Sequence, residues 1–413
     1  YMDIVVIGGG AAGLVSAITA ARHGGNVIVL EKEKNCGKKL LVTGNGRCNY
    51  YNDDQNISHY HTNGEDLYIK NIINDKSNKM VLDFFDSIGV VPRVKDGYYY
   101  PFSNQAVSIV NALLLECEIL GVKIVNNIWA SDIVASGDKF IVHTDKRGYC
   151  CDRVIMATGS YAYYKNAVNN GYDIIAKLGH KIIKPLPALV QLRIDDSKLC
   201  KRWLGIRSNA NISLVVDDRV IRSCVGEILL TIYGISGICA MQLGGDAARY
   251  LDNGNRVFVR INFVADLVSC ASELEEFLDS YAKKLRGRKV TDLLDNIMNY
   301  KLSNFLIKYV GIGKDKKYDE LDMDEKRKLI NAIVNFEIEI NGTNTFHEAQ
   351  VCSGGVSLED INPLTMESLK VPGIYIAGEV VDVDGDCGGY NLTFAWTTGL
   401  IAGINCTGEI VND

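Results

Sequence analysis

Apolar and polar residues follow one another at the start of the chain in an order that predicts a βαβ unit. Asp3–Ile7 is a short, largely β-branched apolar run that leads into three glycines, and a helical segment rich in small residues follows at 11–23. A second apolar run, Asn26–Leu30, ends at Glu31. Strand, glycine turn, helix and strand in this order predict two parallel strands joined by a helix.

The pattern changes in the middle of the chain and returns near its end. Residues 50–79 are polar and rich in asparagine, which predicts a surface excursion. Residues 188–245 alternate in the manner of β-strands, whereas residues 271–335 have helical periodicity. A buried strand returns at Ile374–Ala377, and a turn follows at Gly378. We therefore expect both chain ends to build one doubly wound α/β domain, interrupted by an insertion.

Composition and charge narrow the class of protein. Of the 413 residues, 47% are hydrophobic and 23% are charged, which is typical of globular proteins. The net charge of −6 argues against nucleic acid as a partner, because general binding of nucleic acid requires many cations. The twelve cysteines include no Cys-x-x-Cys pair, and neither a signal peptide nor a membrane-spanning run is visible. The sequence predicts a cytoplasmic protein with free thiols and no membrane partner.

The glycine turn after the first strand has the spacing of a dinucleotide-binding loop. Gly8 allows the tight turn, Gly10 lets a pyrophosphate approach the backbone, and Gly13 lets the helix and the strand pack closely. The helix that begins at this turn offers N–H groups to phosphates. Glu31 ends the second strand, where a carboxylate accepts hydrogen bonds from ribose hydroxyls. The alternative is a glycine-rich turn in a core without a ligand.

Two further glycine turns favour FAD over NAD as the dinucleotide. One lies at 157–159 after a third buried strand, and the other precedes Glu379 near the C-terminus. We expect Glu379 to hold the ribityl chain, and the turn at 388–391 to direct N–H groups and a helix start at the N1–C2=O edge of the flavin. Only one Gly-x-Gly-x-x-Gly loop is present, so any NAD(P)H must visit the flavin transiently.

Two loops, at 37–49 and 373–392, resemble the signature loops of the BaiN/YhiN-type (HI0933-like) FAD-dependent oxidoreductases. The first reads Gly-Lys-Lys-Leu-Leu-Val-Thr-Gly-Asn-Gly-Arg-Cys-Asn, and the second contains Ala-Gly-Glu and Cys-Gly-Gly-Tyr-Asn-Leu. Segments 226–231, 234–237 and 365–368 resemble the same family in the same order. The resemblance implies an α/β fold, namely a two-dinucleotide-type FAD-binding doubly wound domain at 1–187 and 350–413, interrupted by a β-barrel insertion at 188–245 and 336–349 and a helical subdomain at 246–335.

Together, the motifs and the resemblance imply a set of cofactor-binding residues. The set consists of Gly8, Gly10, Ala11, Ala12, Gly13, Glu31, Lys32, Lys39, Gly44, Asn45, Gly46, Arg47, Cys48, Ala130, Ala157, Thr158, Gly159, Gly378, Glu379, Asp386, Gly388, Gly389, Tyr390, Asn391 and Leu392. No catalytic acid or base stands out. Arg47, Cys48 and Asn49 are candidates for catalysis, because their loop should approach the flavin ring, although they are also explained as residues that only line the cofactor.

One segment departs from the family pattern. After Ala-Thr-Gly the family has a second glycine and then Ser-Tyr-Pro, whereas this chain has Ser-Tyr-Ala-Tyr-Tyr at 160–164. The segment is expected near the flavin. The preference for a substrate is therefore left open by the sequence.

Acidic residues and histidines near these loops invite a metal interpretation. Asp382, Asp384 and Asp386 alternate as in a calcium loop, but the glycine and the glutamate that such a loop requires are absent. His59 and His61 lie in a polar loop with no third ligand in evidence. The sequence therefore predicts no metal site.

The resemblance implies an FAD-dependent oxidoreductase with a small-molecule substrate. We expect an NAD(P)H-linked reductase of an enone-like substrate, of the steroid or bile-acid type. The first alternative is a flavin oxidase that uses O₂ and acts on a small amine or aminoketone. The others are a flavin-dependent protein that modifies or binds RNA, which the acidic net charge disfavours, and a flavin sensor without catalysis.

Overall fold

The computed structural model describes residues 2–163 and 171–408. The chain forms two compact units, Tyr1–Pro185 with Val351–Asp413, and Leu186–Gln350. The strands and helices of the first unit, up to the insertion, are β1 (Asp3–Ile7), α1 (Ala11–Arg22), β2 (Asn26–Leu30), β3 (Tyr51–Asn52), β4 (Tyr60–His61), α2 (Asp66–Ile72), α3 (Asp75–Ser87), β5 (Pro92–Lys95), β6 (Tyr98–Pro101), α4 (Ala106–Ile119), β7 (Lys123–Val125), β8 (Ala130–Ser136), β9 (Lys139–Thr144), β10 (Gly148–Cys151), β11 (Arg153–Met156), α5 (Gly171–Lys177) and β12 (Ile182–Ala188).

The remaining elements complete the second unit and return the chain to the first. The second unit contains β13 (Leu192–Arg193), α6 (Ser197–Trp203), β14 (Arg207–Val216), β15 (Arg219–Leu230), β16 (Gly234–Ser236), α7 (Ile238–Gln242), α8 (Gly244–Asp252), β17 (Val257–Asn262), α9 (Ala271–Lys284), α10 (Val290–Leu294), α11 (Tyr300–Tyr309), α12 (Met323–Val334), β18 (Phe336–Ile340) and β19 (Gly342–Thr343). The C-terminal part of the first unit contains β20 (Val351–Val356), β21 (Ile374–Ile376), β22 (Asp384–Gly385) and α13 (Tyr390–Asn405).

The first unit is built on a five-stranded parallel sheet in the order β21-β11-β1-β2-β7. Val5 of the central strand pairs with Val154 on one side and with Ile28 on the other. Strands covered on both faces are continuous apolar runs, which is why β1 and β11 contain almost no polar residue. The predicted doubly wound α/β fold is confirmed, and both chain ends contribute strands to one sheet.

Helices α1 and α13 pack closely because small residues face each other. A Cβ on Gly399 would lie 2.6 Å from the Ala12 carbonyl oxygen, and a Cβ on Gly403 would lie 2.6 Å from the Ser16 carbonyl oxygen. Distances this short would push the helices apart, so glycine sets how near they approach. The beginning of α1 therefore lies against the C-terminal helix within the same unit.

The segment at 50–79 differs from the predicted surface excursion. Tyr50, Tyr60, Ile69 and Ile72 are all buried in the core of the first unit. Most of the polar residues between them are exposed or half-buried, and they dominate the composition of the segment. The polar composition of the segment therefore gave no indication of the buried side chains that attach it to the core.

The second unit has a seven-stranded antiparallel sheet in the order β18-β17-β14-β15-β16-β13-β19. Helices α9, α11 and α12 share its hydrophobic core, in which Trp203 lies 5.9 Å from Phe305 and 6.1 Å from Phe336 between ring centroids. Strand β17 lies within 246–335, the range given to the helical subdomain, and before the helical pattern at 271–335. The division of this unit into a β-barrel insertion and a helical subdomain stays a prediction.

None of the described helices combines the length and the hydropathy needed to span a bilayer.

Candidate FAD-binding site

The first glycine loop combines tight packing with open space. A Cβ on Gly8, whose φ is 108°, would lie 2.2 Å from the Ala157 carbonyl oxygen, and a Cβ on Gly13 would lie 1.8 Å from the Gly8 carbonyl oxygen. No atom lies within 4 Å of a Cβ built on Gly10. Gly10 is the N-cap of α1 and supplies no side-chain cap. The uncapped N–H groups at Ala11 and after it, beside this space, fit a pyrophosphate.

Glu31 is bound to the glycine loop through its side chain. Its Oε2 accepts a hydrogen bond of 2.6 Å from the Gly9 N–H, and its Oε1 accepts one of 2.7 Å from the Glu33 N–H. The residue is only 8% exposed, and burial raises the pKa of its carboxyl group. A carboxylate has about four acceptor positions, so two remain for hydroxyl donors such as those of a ribose.

The residues that follow Glu31 lie beside an aromatic ring. The Lys32 ammonium is 5.4 Å from the centroid of the Trp129 ring, and burial lowers the pKa of this lysine. Ala130 begins β8 immediately after this ring and is buried. Lys32 and Ala130, both predicted to bind the cofactor, thus lie beside the same residue, Trp129, although the sequence separates them widely.

Glu379 joins three separate segments of the first unit. Its Oε2 lies 2.6 Å from the Lys39 Nζ, and its Oε1 accepts a hydrogen bond of 2.7 Å from the Ser160 Oγ. The backbone N–H of Cys352 points to the same Oε1 at 3.3 Å. Gly378 lies directly against α1, because its Cβ would be 2.7 Å from the Cβ of Ala12. The turn after β21 is therefore held beside the first glycine loop.

The turn at 157–159 lies between the first glycine loop and the turn after β21, because β11 lies between β1 and β21 in the sheet. The Ala157 N–H donates to the Ile7 carbonyl oxygen at 2.9 Å, at the end of the central strand. Thr158 and Gly159 follow, and Gly159 has a φ of 69°. The three predicted turns, after β1, β11 and β21, thus meet at the carboxyl ends of adjacent parallel strands, where open α/β sheets bind their ligands.

The loop before α13 is closed by one side chain. The Asn391 Oδ1 accepts from the Gly385 N–H at 2.8 Å, and its Nδ2 donates to the Gly385 carbonyl oxygen at 2.7 Å. Gly388 and Gly389 have φ values of 136° and 96°, which only glycine adopts readily. Helix α13 therefore begins at Tyr390 without a side-chain cap, and its first N–H groups are available to an acceptor. Leu392 packs against the core behind them.

The loop at 37–49 contains the three candidate catalytic residues in different environments. Arg47 is exposed, with its guanidinium 5.2 Å from the centroid of the Tyr100 ring. Cys48 is fully buried, and burial raises the pKa of its thiol to about 11, which disfavours a reactive thiolate. Gly44, Asn45 and Gly46 form the left-handed turn before them, with φ values of 55°, 54° and 80°.

Asn49 carries an amide oxygen that lacks a hydrogen-bond donor. Its Oδ1 is buried and has no partner among the residues that the structure describes. The same atom lies 3.2 Å from where a Cβ of Gly389 would be, next to the start of α13. Buried polar atoms are almost always satisfied, so this oxygen fits a bound group that donates a hydrogen bond there. The N3–H of an isoalloxazine ring is such a donor.

Comparison with known proteins agrees with this geometry. The family model described as the HI0933-like protein Rossmann domain matches residues 2–405. The 3-dehydro-bile acid delta(4,6)-reductase of Clostridium scindens is 36% identical over 404 residues, which is 97% of this chain and 98% of the relative.

The chain belongs to the HI0933-like family. It is accordingly a flavoprotein oxidoreductase with an FAD-type Rossmann domain, as the signature loops predicted. The ribosomal RNA dihydrouridine synthase of Haemophilus influenzae is 27% identical over 403 residues, covering 96% of both chains. The 3-ketosteroid delta1-dehydrogenase of Sterolibacterium denitrificans superposes with a TM-score of 0.51 and 11% identity, covering 98% of this chain and 99% of the other, and so shares the fold.

In this HI0933-like chain the acidic run after β21 contacts protein groups. Asp382 accepts hydrogen bonds from the Asn63 N–H at 3.0 Å and from the Asn63 Nδ2 at 2.8 Å. Asp384 pairs with His61 in the short ladder between β22 and β4. Within 2–163 and 171–408, no group of three or more His, Cys, Asp and Glu side chains has an arrangement that could hold a metal ion.

Sequence reasoning missed a network of histidines behind the C-terminal loop. Asp386 accepts from His59 Nδ1 at 3.0 Å and from His61 Nε2 at 2.9 Å. The His59 ring stacks on Tyr390 with centroids 4.5 Å apart, and its Nε2 lies 3.1 Å from the Asp54 Oδ2. The sequence placed these histidines in a polar loop with no third metal ligand in evidence. No local signal could have found Asp386, because it lies more than three hundred positions away.

The segment that departs from the family pattern reaches the same site. Ser160 donates to Glu379 and its Oγ also accepts from the Ala162 N–H at 3.1 Å. The Tyr161 ring lies 5.1 Å from the Tyr172 ring, and Tyr163 has a φ of 78°. Tyr164 lies outside the described residues.

Proposed function

We propose that the protein is an FAD-dependent reductase of a small molecule in which a carbon–carbon double bond is conjugated to a carbonyl group, with NAD(P)H as a transient electron donor. The observation that carries the proposal is the 36% identity with a bile-acid delta(4,6)-reductase over nearly the whole of both chains. A steroid or bile-acid enone is the substrate class that this similarity favours.

The residues around the three glycine turns support the cofactor assignment. We infer that Gly10 and the start of α1 receive the pyrophosphate and that Glu31 binds the adenosine ribose. Lys39 and Glu379 then face the ribityl side, and Asn391 shapes the turn that directs the N–H groups of α13 at the ring. FAD, when bound, supplies the hydride chemistry. The chain's own groups bind it, orient it and offer positive dipole ends where negative charge develops.

The donor assignment rests on the count of dinucleotide loops. Only one Gly-x-Gly-x-x-Gly loop occurs in the sequence, and it lies where FAD should bind. A nicotinamide therefore has no dinucleotide fold of its own and must share the face of the flavin with the substrate. This arrangement favours alternate binding, in which the nicotinamide leaves before the enone arrives.

Anaerobic stopped-flow mixing of the FAD-loaded protein with NADH and with NADPH tests the proposal. We expect one donor to bleach the flavin absorbance, and a 3-oxo-Δ4 steroid to restore it, whereas the saturated 3-oxo analogue should leave it bleached. The saturated analogue is the matched control, because it has the same carbon skeleton and carbonyl group without the double bond. No bleaching by either donor, combined with rapid peroxide formation from an aminoketone in air, would instead indicate an oxidase.

The 27% identity with a ribosomal RNA dihydrouridine synthase favours a second candidate, reduction of uridine in RNA. Both relatives are named for reactions that saturate a carbon–carbon double bond conjugated to a carbonyl group, so the same flavin chemistry would serve either substrate. The net charge of −6 disfavours a polyanionic partner. Reoxidation of the bleached flavin by an rRNA transcript, but not by the steroid enone, would select this candidate over the small-molecule reductase.

A further inference from the structure

Two cysteines of the second unit lie side by side on neighbouring elements. Cys224 is on β15, and Cys239 is in the first turn of α7. A Cβ built on Gly226 would lie 3.3 Å from the Cys239 Sγ. Gly226 faces the same side of β15 as Cys224, because alternate residues of a strand share a face. The Cys239 sulfur therefore lies over the face of the strand that carries Cys224.

A second contact places the Cys224 sulfur against the same helix. Gln242 follows Cys239 by three residues, so both side chains are on one face of α7. The Gln242 Nε2 donates to the Cys224 Sγ at 3.5 Å. The thiols of Cys224 and Cys239 also hydrogen-bond with each other.

Glycines hold the helix close to the strand and so fix this distance. A Cβ on Gly237, the N-cap of α7, would lie 2.6 Å from the Glu227 carbonyl oxygen of β15. Its φ is 100°, a conformation that favours glycine. The distance between the two cysteines is thus set by backbone packing between α7 and β15 and not by mobile side chains.

We propose that Cys224 and Cys239 are a dithiol that is oxidised to an intrachain disulfide by low-molecular-weight disulfides. Cys224 is partly exposed and Cys239 is buried, so an external disulfide reaches Cys224 first. The hydrogen bond to Cys224, together with burial, raises the pKa of Cys239, which leaves Cys224 as the first nucleophile.

The reaction is balanced in two steps of thiol–disulfide exchange. The Cys224 thiolate attacks one sulfur of the external disulfide, forms a mixed disulfide and releases one thiolate, which takes up a proton. Cys239 then loses its proton and attacks the Cys224 sulfur of the mixed disulfide, releasing the second thiol. Two electrons and two protons pass from the pair to the external disulfide. The product ties α7 to β15, and its formation does not depend on the proposed function.

Oxidised glutathione, used on the full-length protein, tests the proposal. After treatment, free thiols are alkylated, the protein is unfolded and digested, and the peptides are mapped by mass spectrometry. We expect a cross-linked pair of peptides that contains Cys224 and Cys239, no glutathione on either residue, and recovery of both thiols with dithiothreitol. The Cys270→Ser variant is the matched control, because Cys270 is exposed, and it should form the same cross-link as the unaltered protein.

Two variants make the outcome decisive. Cys239→Ser should stop the reaction at a stable mixed disulfide on Cys224, and Cys224→Ser should leave Cys239 fully alkylatable after unfolding. If either serine variant fails to fold, the alanine variant replaces it. A stable glutathione adduct on Cys224 in the unaltered protein, with Cys239 still a free thiol, would overturn the proposal.

Discussion

The Lys39 Nζ lies 2.6 Å from the Glu379 Oε2, although 340 positions separate the two residues. The sequence predicts that each residue contacts the cofactor, and the structure shows that the two side chains contact each other. The Ser160 hydroxyl completes the contact on the other oxygen of the same carboxylate. A single carboxylate thus connects the loop at 37–49 with the turns after β11 and β21.

Lys39→Met should weaken FAD binding by removing the cation beside Glu379. The two side chains are 28% and 18% exposed, so the carboxylate left behind is poorly solvated. We expect a loss of about 1–3 kcal/mol in the free energy of FAD binding. Titration of the apoprotein with FAD, followed by flavin fluorescence, measures it. In Lys39→Met/Glu379→Gln the combined loss should be smaller than the sum of the single losses, and strict additivity would show that the pair is not coupled.

Gly10→Val should abolish FAD retention without unfolding the protein. The Gly10 φ is −88°, and no atom lies within 4 Å of an added Cβ, so the apoprotein accepts the side chain, which then occupies the space expected for the pyrophosphate. The measurement is FAD content per chain after gel filtration, together with the circular dichroism spectrum.

Two other glycines provide the controls for this variant. Gly313→Val should retain FAD, because that position is equally open but lies in the second unit. Gly13→Ala should disturb the fold itself, since its Cβ would lie 1.8 Å from the Gly8 carbonyl oxygen. A Gly10→Val protein with one FAD per chain would contradict the assignment of the pyrophosphate site.

Acidification should weaken FAD binding through Glu31. Burial raises the pKa of this carboxyl group above its ordinary 4.5. Protonation removes the negative charge and turns one acceptor position into a donor, which weakens the hydrogen bonds from the ribose hydroxyls. The stability of the apoprotein should change in the opposite direction to FAD binding. The folded state holds the Glu31 proton more tightly than the unfolded state, so the contribution of Glu31 to the free energy of unfolding increases as the pH falls through the raised pKa. Glu31→Gln should bind FAD more weakly than the unaltered protein, with little dependence on pH above about 4.5. An unchanged pH profile in Glu31→Gln would exclude Glu31 as the titrating group.

Asp386→Asn should loosen the loop before α13. One carboxylate now accepts from His59 and His61, and an amide has only one acceptor oxygen for the two rings. We expect FAD affinity to fall roughly tenfold, about 1.4 kcal/mol. Asp54→Asn is the matched control, because the Asp54 side chain is 63% exposed and its pairing with His59 should contribute little. Equal losses of FAD affinity in Asp386→Asn and Asp54→Asn would indicate that the negative charge near the histidines matters, and not the geometry of the loop before α13.

His180 should make the fold less stable in mild acid. Its Nδ1 donates to the Ile175 carbonyl oxygen at 3.1 Å, its Nε2 accepts from the Ser368 hydroxyl at 2.7 Å, and burial lowers its pKa below 6.5. Below pH 6.5 the unfolded chain takes up a proton at His180 more readily than the folded chain does. The free energy of unfolding therefore decreases as the pH falls, by at most about 1.4 kcal/mol per pH unit. Urea unfolding between about pH 7.5 and 5.5 measures the slope. His180→Gln should be less stable at pH 7.5, but its free energy of unfolding should depend less on pH. An unchanged slope would assign the effect to another group.

Several features of this protein could be predicted because their causes are local. The strand, glycine turn and helix at the N-terminus follow from apolar runs and from glycines that the turn requires, for a positive φ at Gly8 and for close packing at Gly13. Gly8 and Gly13 are needed by the backbone that directly surrounds them, and the same holds for the paired glycines before α13. The return of this pattern at Ile374 was enough to place both chain ends in one sheet.

Other features were decided only by tertiary structure, because they depend on which distant side chains meet. The partners of Lys39, Asp386 and Cys224 lie on other elements, and no periodicity or spacing encodes such pairs. The buried residues within 50–79 were hidden in the same way, since a few aromatic and aliphatic side chains attach an otherwise polar segment to the core. Backbone preferences act over a few residues, whereas hydrogen bonds, ion pairs and packing act through space after the chain has folded.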